Sequence, residues 1–343
     1  MSLQPTSELL QRHPELSSNK RLLIAGQLFD DYPLELAKIS QQTTIVTTHA
    51  GIASRYQRQC SANTEILLSA SPATLSNDYD CLLIYIPKAK QEADYWINAL
   101  LPKIKTDGDV MIVGENRGGI NAAPKLLKNY QLNAYKLDSA RRCSLMYANR
   151  GEGIIEFDAE HWQTQYLLSL PQGELQVSSM PGVFNHGKLD AGTALLLEHL
   201  PPLMGKGLDF GCGAGIIGAA LAKQTGAQIS AVDVSVLATE STRRTFALNQ
   251  LPADIYCCDG IDELQHDYDF IVSNPPFHLG VQTEYETSRQ FIRLASEKLK
   301  SRGELWMVAN SFLPYQELLT TYFTCCQIVT DNRKFRIYHC QKG

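Results

Sequence analysis

The residues Ser273-Asn274-Pro275-Pro276-Phe277 follow the apolar run DYDFIV, which reads as a strand. Two prolines donate nothing to a sheet ladder, so the chain must leave the sheet there on a stiff backbone with its carbonyls turned outward. The Asn274 amide oxygen and a proline carbonyl then offer two acceptors to the two hydrogens of a planar exocyclic amine. Phe277 offers a face on which the ring bearing that amine can stack. Such a clamp aims the nitrogen lone pair. It suits a group transfer governed by in-line positioning and needs no histidine or cysteine as base.

The group to be transferred must be held nearby, and Leu208-Asp209-Phe210-Gly211-Cys212-Gly213-Ala214-Gly215 is the segment able to hold it. It ends one strand and opens a helix, and its glycines permit a sharp turn against which a ligand can press. An acid before the first glycine departs from the dinucleotide pattern. A carboxylate at Asp209 suits the ammonium of an amino-acid-bearing sulfonium cofactor better than a pyrophosphate. Asp233 closes the next strand, 22 residues after Gly211, where an acid accepts from ribose hydroxyls. Asp259, before Gly260 at the end of the third strand, is placed to accept from an adenine amino group.

These residues demand strands that end along one edge of a sheet. From Lys206 onward strand-like GLDFG, ISAVD, ADIYCCD, DYDFIVSN and GELWMVAN alternate with helical IIGAALAKQ, SVLATESTRRTFALNQ and TEYETSRQFIRLASEKLK, and IVTD and RIYHC close the series. Strands alternating with helices predict an α/β fold with a doubly wound, mostly parallel sheet. The N-terminal half repeats the order with RLLIAG, TTIVTT, TEILLSA, YDCLLIYIP, GDVMIVGEN and SLMYAN. Tyr79-Asp80 precedes Tyr268-Asp269 by 189 residues and RLLIAG precedes KGLDFG by 185, which points to an internal duplication. At the glycine loop the first copy reads Ile24-Ala25-Gly26-Gln27-Leu28, and at the acceptor turn Tyr85-Ile86-Pro87-Lys88. Without the acid and two of the glycines it cannot hold cofactor in the same way. The expected domains are therefore a degenerate copy at 1–155 and a catalytic copy at 156–343, joined through the Gly- and Pro-bearing stretch 151–181.

Composition sets outer limits. The 343 residues are 44% hydrophobic and 20% charged with a mean hydropathy of −0.18, which leaves no excess for a membrane span. The polar, Pro-bearing start MSLQPTSELLQRHPEL lacks the apolar core of a signal peptide, so a cytoplasmic location is expected. Nine cysteines without a C-x-x-C pair fit reduced, buried thiols rather than a disulfide framework or a metal site. The net charge is −5: residues 1–170 carry 17 Lys+Arg against 18 Asp+Glu (−1) and residues 171–343 carry 14 against 18 (−4). Any hold on phosphates must come from local patches, not from the overall charge.

The glycine loop, Asp233, Asp259 and Asn274-Pro275-Pro276-Phe277 together resemble the Rossmann-type, amino-directed methyltransferases over about residues 185–340. The segments VFNHGKLDAGTALLLEHL, GENRGGI, DSARRC and VANSFLPY extend the likeness to nearly the whole chain. They resemble the small-subunit (16S) ribosomal RNA guanine-N2 methyltransferase C family, RsmC. The resemblance implies two tandem Rossmann-like methyltransferase domains, the first degenerate, and S-adenosyl-L-methionine as cofactor. It also implies methylation of one guanosine N2 in 16S rRNA, with the assembled small subunit as partner; no metal is expected, and the sequence leaves the oligomeric state, expected to be a monomer, open. Asn274, Pro275, Pro276 and Phe277 would then be catalytic, and Asp209, Gly211, Gly213, Gly215, Asp233 and Asp259 would bind cofactor. Arg141, Arg142, Asn310 and Tyr315 are candidates for substrate contact, with His186 as a further pocket residue. Lys103, Lys105, Lys125 and Lys128, and a second cluster of Arg333, Lys334 and Arg336, could meet phosphates. The clamp alone would also take adenine N6 or a glutamine side chain, and the sister family acting on the large subunit shares the two-copy layout. A non-enzymatic assembly factor would not need intact motifs, and a dehydrogenase would need another order of acid and glycines.

Overall fold

The computed structural model describes residues 3–153, 155–184, 186–262, 264, 267–275 and 283–343, with the backbone alone for 283–287. Pro276 and Phe277 of the acceptor motif lie outside the described residues. The chain divides into two compact units, Met1–Trp162 and Gln163–Gly343.

The first unit holds β1 (Arg21–Gly26), β2 (Gln42–Thr47), β3 (Thr64–Leu68), β4 (Tyr79–Tyr85), β5 (Ile104–Glu115), β6 (Tyr135–Ala140) and β7 (Cys143–Asn149). Its helices are α1 (Pro5–Leu10), α2 (Tyr32–Ile39), α3 (Ala50–Gln57), α4 (Lys90–Leu100) and α5 (Ala123–Asn129). The strands run in the order β3-β2-β1-β4-β5-β7-β6, parallel except for β7, which is antiparallel to both its neighbours. Leu22–Ala25 and Cys81–Ile84 are fully buried without alternation, as strands must be when helices cover both faces of a sheet.

The second unit opens with an antiparallel hairpin, β8 (Thr164–Leu170) and β9 (Gly173–Ser179). The main strands follow as β10 (Lys206–Phe210), β11 (Gln228–Asp233), β12 (Ala253–Cys257), β13 (Tyr268–Ser273), β14 (Leu299–Asn310), β15 (Cys325–Asp331) and β16 (Phe335–Gln341). The helices are α6 (Ala191–His199), α7 (Ile216–Thr225), α8 (Val236–Leu248), α9 (Thr283–Lys298) and α10 (Tyr315–Tyr322). The sheet order β12-β11-β10-β13-β14-β16-β15 repeats the first sheet strand for strand.

The repeat extends to the level of single residues. Gly26 faces Tyr85 across β1 and β4, and Phe210 faces Ser273 across β10 and β13. One residue further on, Gly211 and Asn274 hold the places that Gly26 and Tyr85 hold in the first sheet. Likewise α1 packs on β5 and β7 as α6 packs on β14 and β16.

Two elements depart from the sequence expectation. The hairpin β8–β9 lies in the stretch read as a junction, and β6 was not foreseen. Strand β9 docks on a helix, and its backbone N–H groups at Gln176, Ser178 and Met180 donate to side-chain oxygens of Asn249, Thr245 and Ser241 at 3.1, 3.1 and 3.0 Å. These three stand four residues apart along α8 and its C-terminal end, on one face. The polar ladder that fixes β9 is therefore written in α8, not in the strand.

Candidate active site

The loop after β10 takes its shape from three glycines. Gly211, Gly213 and Gly215 have φ of 69°, 55° and 75°, the left-handed region that a side chain adopts only at a cost. A Cβ on Gly215 would also lie 2.9 Å from the Thr242 methyl. Gly213 meets no such obstacle: the atoms nearest its Cβ position are the Phe184 oxygen at 3.7 Å and Phe184 Cβ at 3.9 Å. With nothing closer to Gly213 than an ordinary contact, the glycine loop is a candidate cradle for a ligand against the backbone.

Asp233 ties this loop to the end of β11. Its Oδ2 accepts from the Gly213 N–H at 3.0 Å and its Oδ1 from the Ser235 N–H at 2.9 Å. Asp259 is exposed just beyond β12, and the N–H of Cys258 before it donates to the Asp233 carbonyl at 3.2 Å. The two acids thus stand at the C-terminal ends of adjacent strands, where open α/β sheets receive their ligands.

Asp209, expected from sequence to meet the cofactor's ammonium, also supports the loop from behind. Its carboxylate is fully buried, with Oδ2 accepting from the Gly218 N–H of α7 at 2.8 Å. So placed, the side chain fixes the start of α7 behind the loop. Burial pushes its carboxyl up to about 7, against the Gly218 hydrogen bond and with help from the Asp233 charge. Its Oδ1 has no hydrogen-bond partner among the described residues.

On the acceptor side, Asn274 leaves β13 with its amide orientation determined. Its Nδ2 donates to Thr193 Oγ1 at 2.8 Å and to Asp190 Oδ2 at 3.3 Å. With both amide hydrogens spent on α6, Oδ1 is the edge turned the other way. Asp190 is itself held as the N-cap of α6, accepting from Gly192 N–H at 2.8 Å and Thr193 N–H at 3.1 Å. Phe335 lies against Gly192, where a Cβ would sit 3.4 Å from its ring. Asn274, Asp190 and Phe335 line a cavity of about 160 Å³ together with Phe184, Pro275, Asn310 and Leu313. Phe184 belongs both to this cavity and to the neighbourhood of Gly213, so the acceptor cavity and the glycine cradle adjoin.

Sequence reasoning named Asn274, Pro275 and Asn310 but missed Asp190, Thr193, Phe184 and Phe335. An acid three residues before a threonine at a helix start was a legible cap; that the cap also holds an asparagine 84 residues away was not. Tyr315 is corrected: it is buried, and its hydroxyl meets Ser288 Oγ at 3.0 Å in the core beneath α9 and α10. His186 is spent on Ser179 and Thr164 at 3.1 and 3.3 Å, and burial lowers its proton affinity. Arg141 and Arg142 form the exposed two-residue turn between β6 and β7, Arg141 paired with Glu8.

The equivalent place in the first unit is filled. Tyr85 stands where Asn274 stands, its hydroxyl 3.4 Å from Ser7 Oγ of α1, as Asn274 meets Thr193 of α6. Leu28, Tyr32, Tyr56 and Tyr85 join one buried cluster with Leu9 and Leu10. Burial drives the Tyr85 hydroxyl well above its ordinary proton affinity.

Among the described residues no group of His, Cys, Asp and Glu could hold a metal ion, and no helix is long and apolar enough to cross a membrane. The methyltransferase small domain family matches residues 174–339, and the methyltransferase small domain N-terminal family matches residues 7–166. The ribosomal RNA small subunit methyltransferase C of Photobacterium profundum is 40% identical over 343 residues, covering 100% of both chains. That of Aeromonas hydrophila is 39% identical over 337 residues, covering 98% of both. Among solved structures, a T. thermophilus 16S rRNA N2 methyltransferase in complex with AdoMet and guanosine superposes with a TM-score of 0.85 at 20% identity, over 99% of this chain and 92% of that one.

Proposed function

This chain belongs to the ribosomal RNA small subunit methyltransferase C family, and on that premise we propose that its second unit methylates the exocyclic N2 of one guanosine in 16S rRNA within the small ribosomal subunit. The observation that carries the reading is the Asn274 amide, whose hydrogens are held by Thr193 and Asp190 at the wall of a cavity that adjoins the glycine cradle. S-adenosyl-L-methionine bound along Gly211, Gly213 and Gly215 supplies an electrophilic methyl group. Asp233 keeps the cradle in shape and would accept from the cofactor's ribose hydroxyls, and Asp259 would accept from its adenine amine. Asn274 Oδ1 and the Pro275 carbonyl accept from the guanine N2 hydrogens and leave the lone pair directed at the cradle. Phe184 and Phe335 enclose the base and keep water from the reacting atoms. Asn310 borders the base, while Arg141 and Arg142 meet RNA phosphates from the first unit. We read the enzyme as a monomer acting in the cytoplasm.

The experiment is transfer of labelled methyl groups to undermethylated small subunits, large subunits and free rRNA, followed by nucleoside analysis. N2-methylguanosine in small-subunit RNA is expected. With Asn274→Ala the loss of roughly 3 kcal/mol of transition-state stabilisation should slow single-turnover transfer a hundredfold or more. S-adenosylmethionine affinity should stay near wild type, and normal turnover in this variant would remove the clamp from the mechanism.

A further inference from the structure

Resting on that reading, we propose that the rim of the acceptor cavity is a landing surface for single-stranded RNA, in which Arg333 and Lys334 hold phosphates flanking the target nucleotide and Phe312 stacks on a neighbouring base. The two cations form the tip of the β15–β16 hairpin, and the residue after them, Phe335, lines the cavity. The Lys334 ammonium lies 5.0 Å from the centre of the Phe335 ring, so a base seated against that ring brings its own phosphate towards the tip.

The tip is built to stay in place. Asp331 Oδ1 accepts from the Arg333 N–H at 2.8 Å, and Asn332 Oδ1 from the Lys334 and Phe335 N–H groups at 3.1 and 2.8 Å. Ser311, next to the cavity residue Asn310, donates its N–H to the Lys334 carbonyl at 2.9 Å and its hydroxyl to the Arg333 carbonyl at 2.5 Å. Arg333 has a φ of 70°, which a residue other than glycine or asparagine adopts only under constraint. Arg336 takes the nearby Asp331 carboxylate at 2.6 Å, and among the described residues neither Arg333 nor Lys334 is in an ion pair. Beside these two cations, Phe312 is 62% exposed and Phe184 48% exposed. Cations that track phosphates beside open aromatic faces are the features by which single strands are bound, whereas a duplex hides the faces of its bases.

The first unit supplies an internal comparison. Its matching tip is Arg141-Arg142, both at positive φ in a turn that favours Asn-Gly, and the Asn116 N–H donates to the Arg142 carbonyl at 2.8 Å as Ser311 does to Lys334. There Tyr85 has replaced the acceptor amide, yet the cations remain. Charge at this tip therefore does not depend on the methyl-transfer chemistry, which fits a role in binding the polymer.

The test compares the full-length protein with the double variant Arg333→Asn, Lys334→Gln, with Phe312→Ala, and with Lys334→Arg as a charge-keeping control. Asparagine at 333 removes the charge while tolerating the left-handed backbone. Fluorescence anisotropy with a labelled single-stranded RNA, and with the same strand in a duplex, gives affinity over a series of salt concentrations. The wild type should prefer the single strand. The double variant should bind it about tenfold or more weakly, with a salt dependence shallower by about 1.4 in log–log slope, some 0.7 for each lost phosphate contact. Phe312→Ala should weaken binding at unchanged slope, and Lys334→Arg should match the wild type. Equal affinity of the wild type for duplex and single strand, or wild-type affinity and slope in the double variant, overturns the proposal. On small subunits, single-turnover titrations should show a raised half-saturating enzyme concentration and an unchanged maximal rate. A wild type that binds single strands in this manner but leaves small subunits unmethylated would count against the proposed reaction instead.

Discussion

A carboxylate buried behind a glycine loop makes stability depend on pH with a sign opposite to that of a surface acid. Asp209 releases its proton near 3.8 in the unfolded chain and at about 7 when folded. Between these values the folded protein holds a proton that the unfolded chain has lost, so stability falls as pH rises through that window and levels off above it. Asp209→Asn should remove this component: from pH 5 to pH 8 the urea midpoint of the wild type should drop relative to the variant, and parallel profiles would show the carboxyl is not perturbed. The aspartate was legible in the sequence as part of the loop, but its direction was not, because direction depends on the Gly218 amide that α7 brings to it. Asn274 was legible for the opposite reason. Two prolines after it cannot continue a strand, so the sequence marks where the chain leaves the sheet, though not the α6 side chains that hold the amide.

At the scale of elements, α6 places the Asn274 amide and α1 places the Tyr85 hydroxyl, from equivalent positions. Gln4 caps α1 without a side-chain hydrogen bond where Asp190 caps α6 with two, so the first unit has lost the acid together with the amide it served. Thr193→Val should leave an Asn274 N–H without its 2.8 Å partner and let the amide rotate, slowing methyl transfer about tenfold. Thr193→Ser should restore the rate, while S-adenosylmethionine affinity stays unchanged in both. A valine variant as fast as wild type would show that Asp190 alone orients the amide. Strands with unbroken apolar runs were legible from the sequence because burial on both faces leaves no other composition. Strand β6 was hidden because its exposed pattern, YKLDSA, is that of a sheet edge. The hairpin β8–β9 was hidden because its partner is a helix.

On the scale of the whole molecule, two copies of one topology share one chain, but in the first the place matching the acceptor amide is taken up by a packed cluster of side chains. Calorimetry should therefore give one S-adenosylmethionine per chain, since Tyr32, Tyr56 and Tyr85 lie within the packed core of the first unit. A stoichiometry of two would mean that this cluster opens. The duplicated sheets carry a second consequence, for folding. While both halves are unfolded, β1 could be taken up beside β13, or β10 beside β4, and such exchanges are the usual failure of tandem repeats. The pairings carry their own safeguard. Gly207 faces Phe270, whose ring tip would lie 2.1 Å from any Cβ at that glycine, whereas in the other sheet Leu22 faces Cys81. A leucine forced against Phe270 would overfill the site, and a glycine beside Cys81 would leave a hole, so each mispaired sheet is penalised while still incomplete.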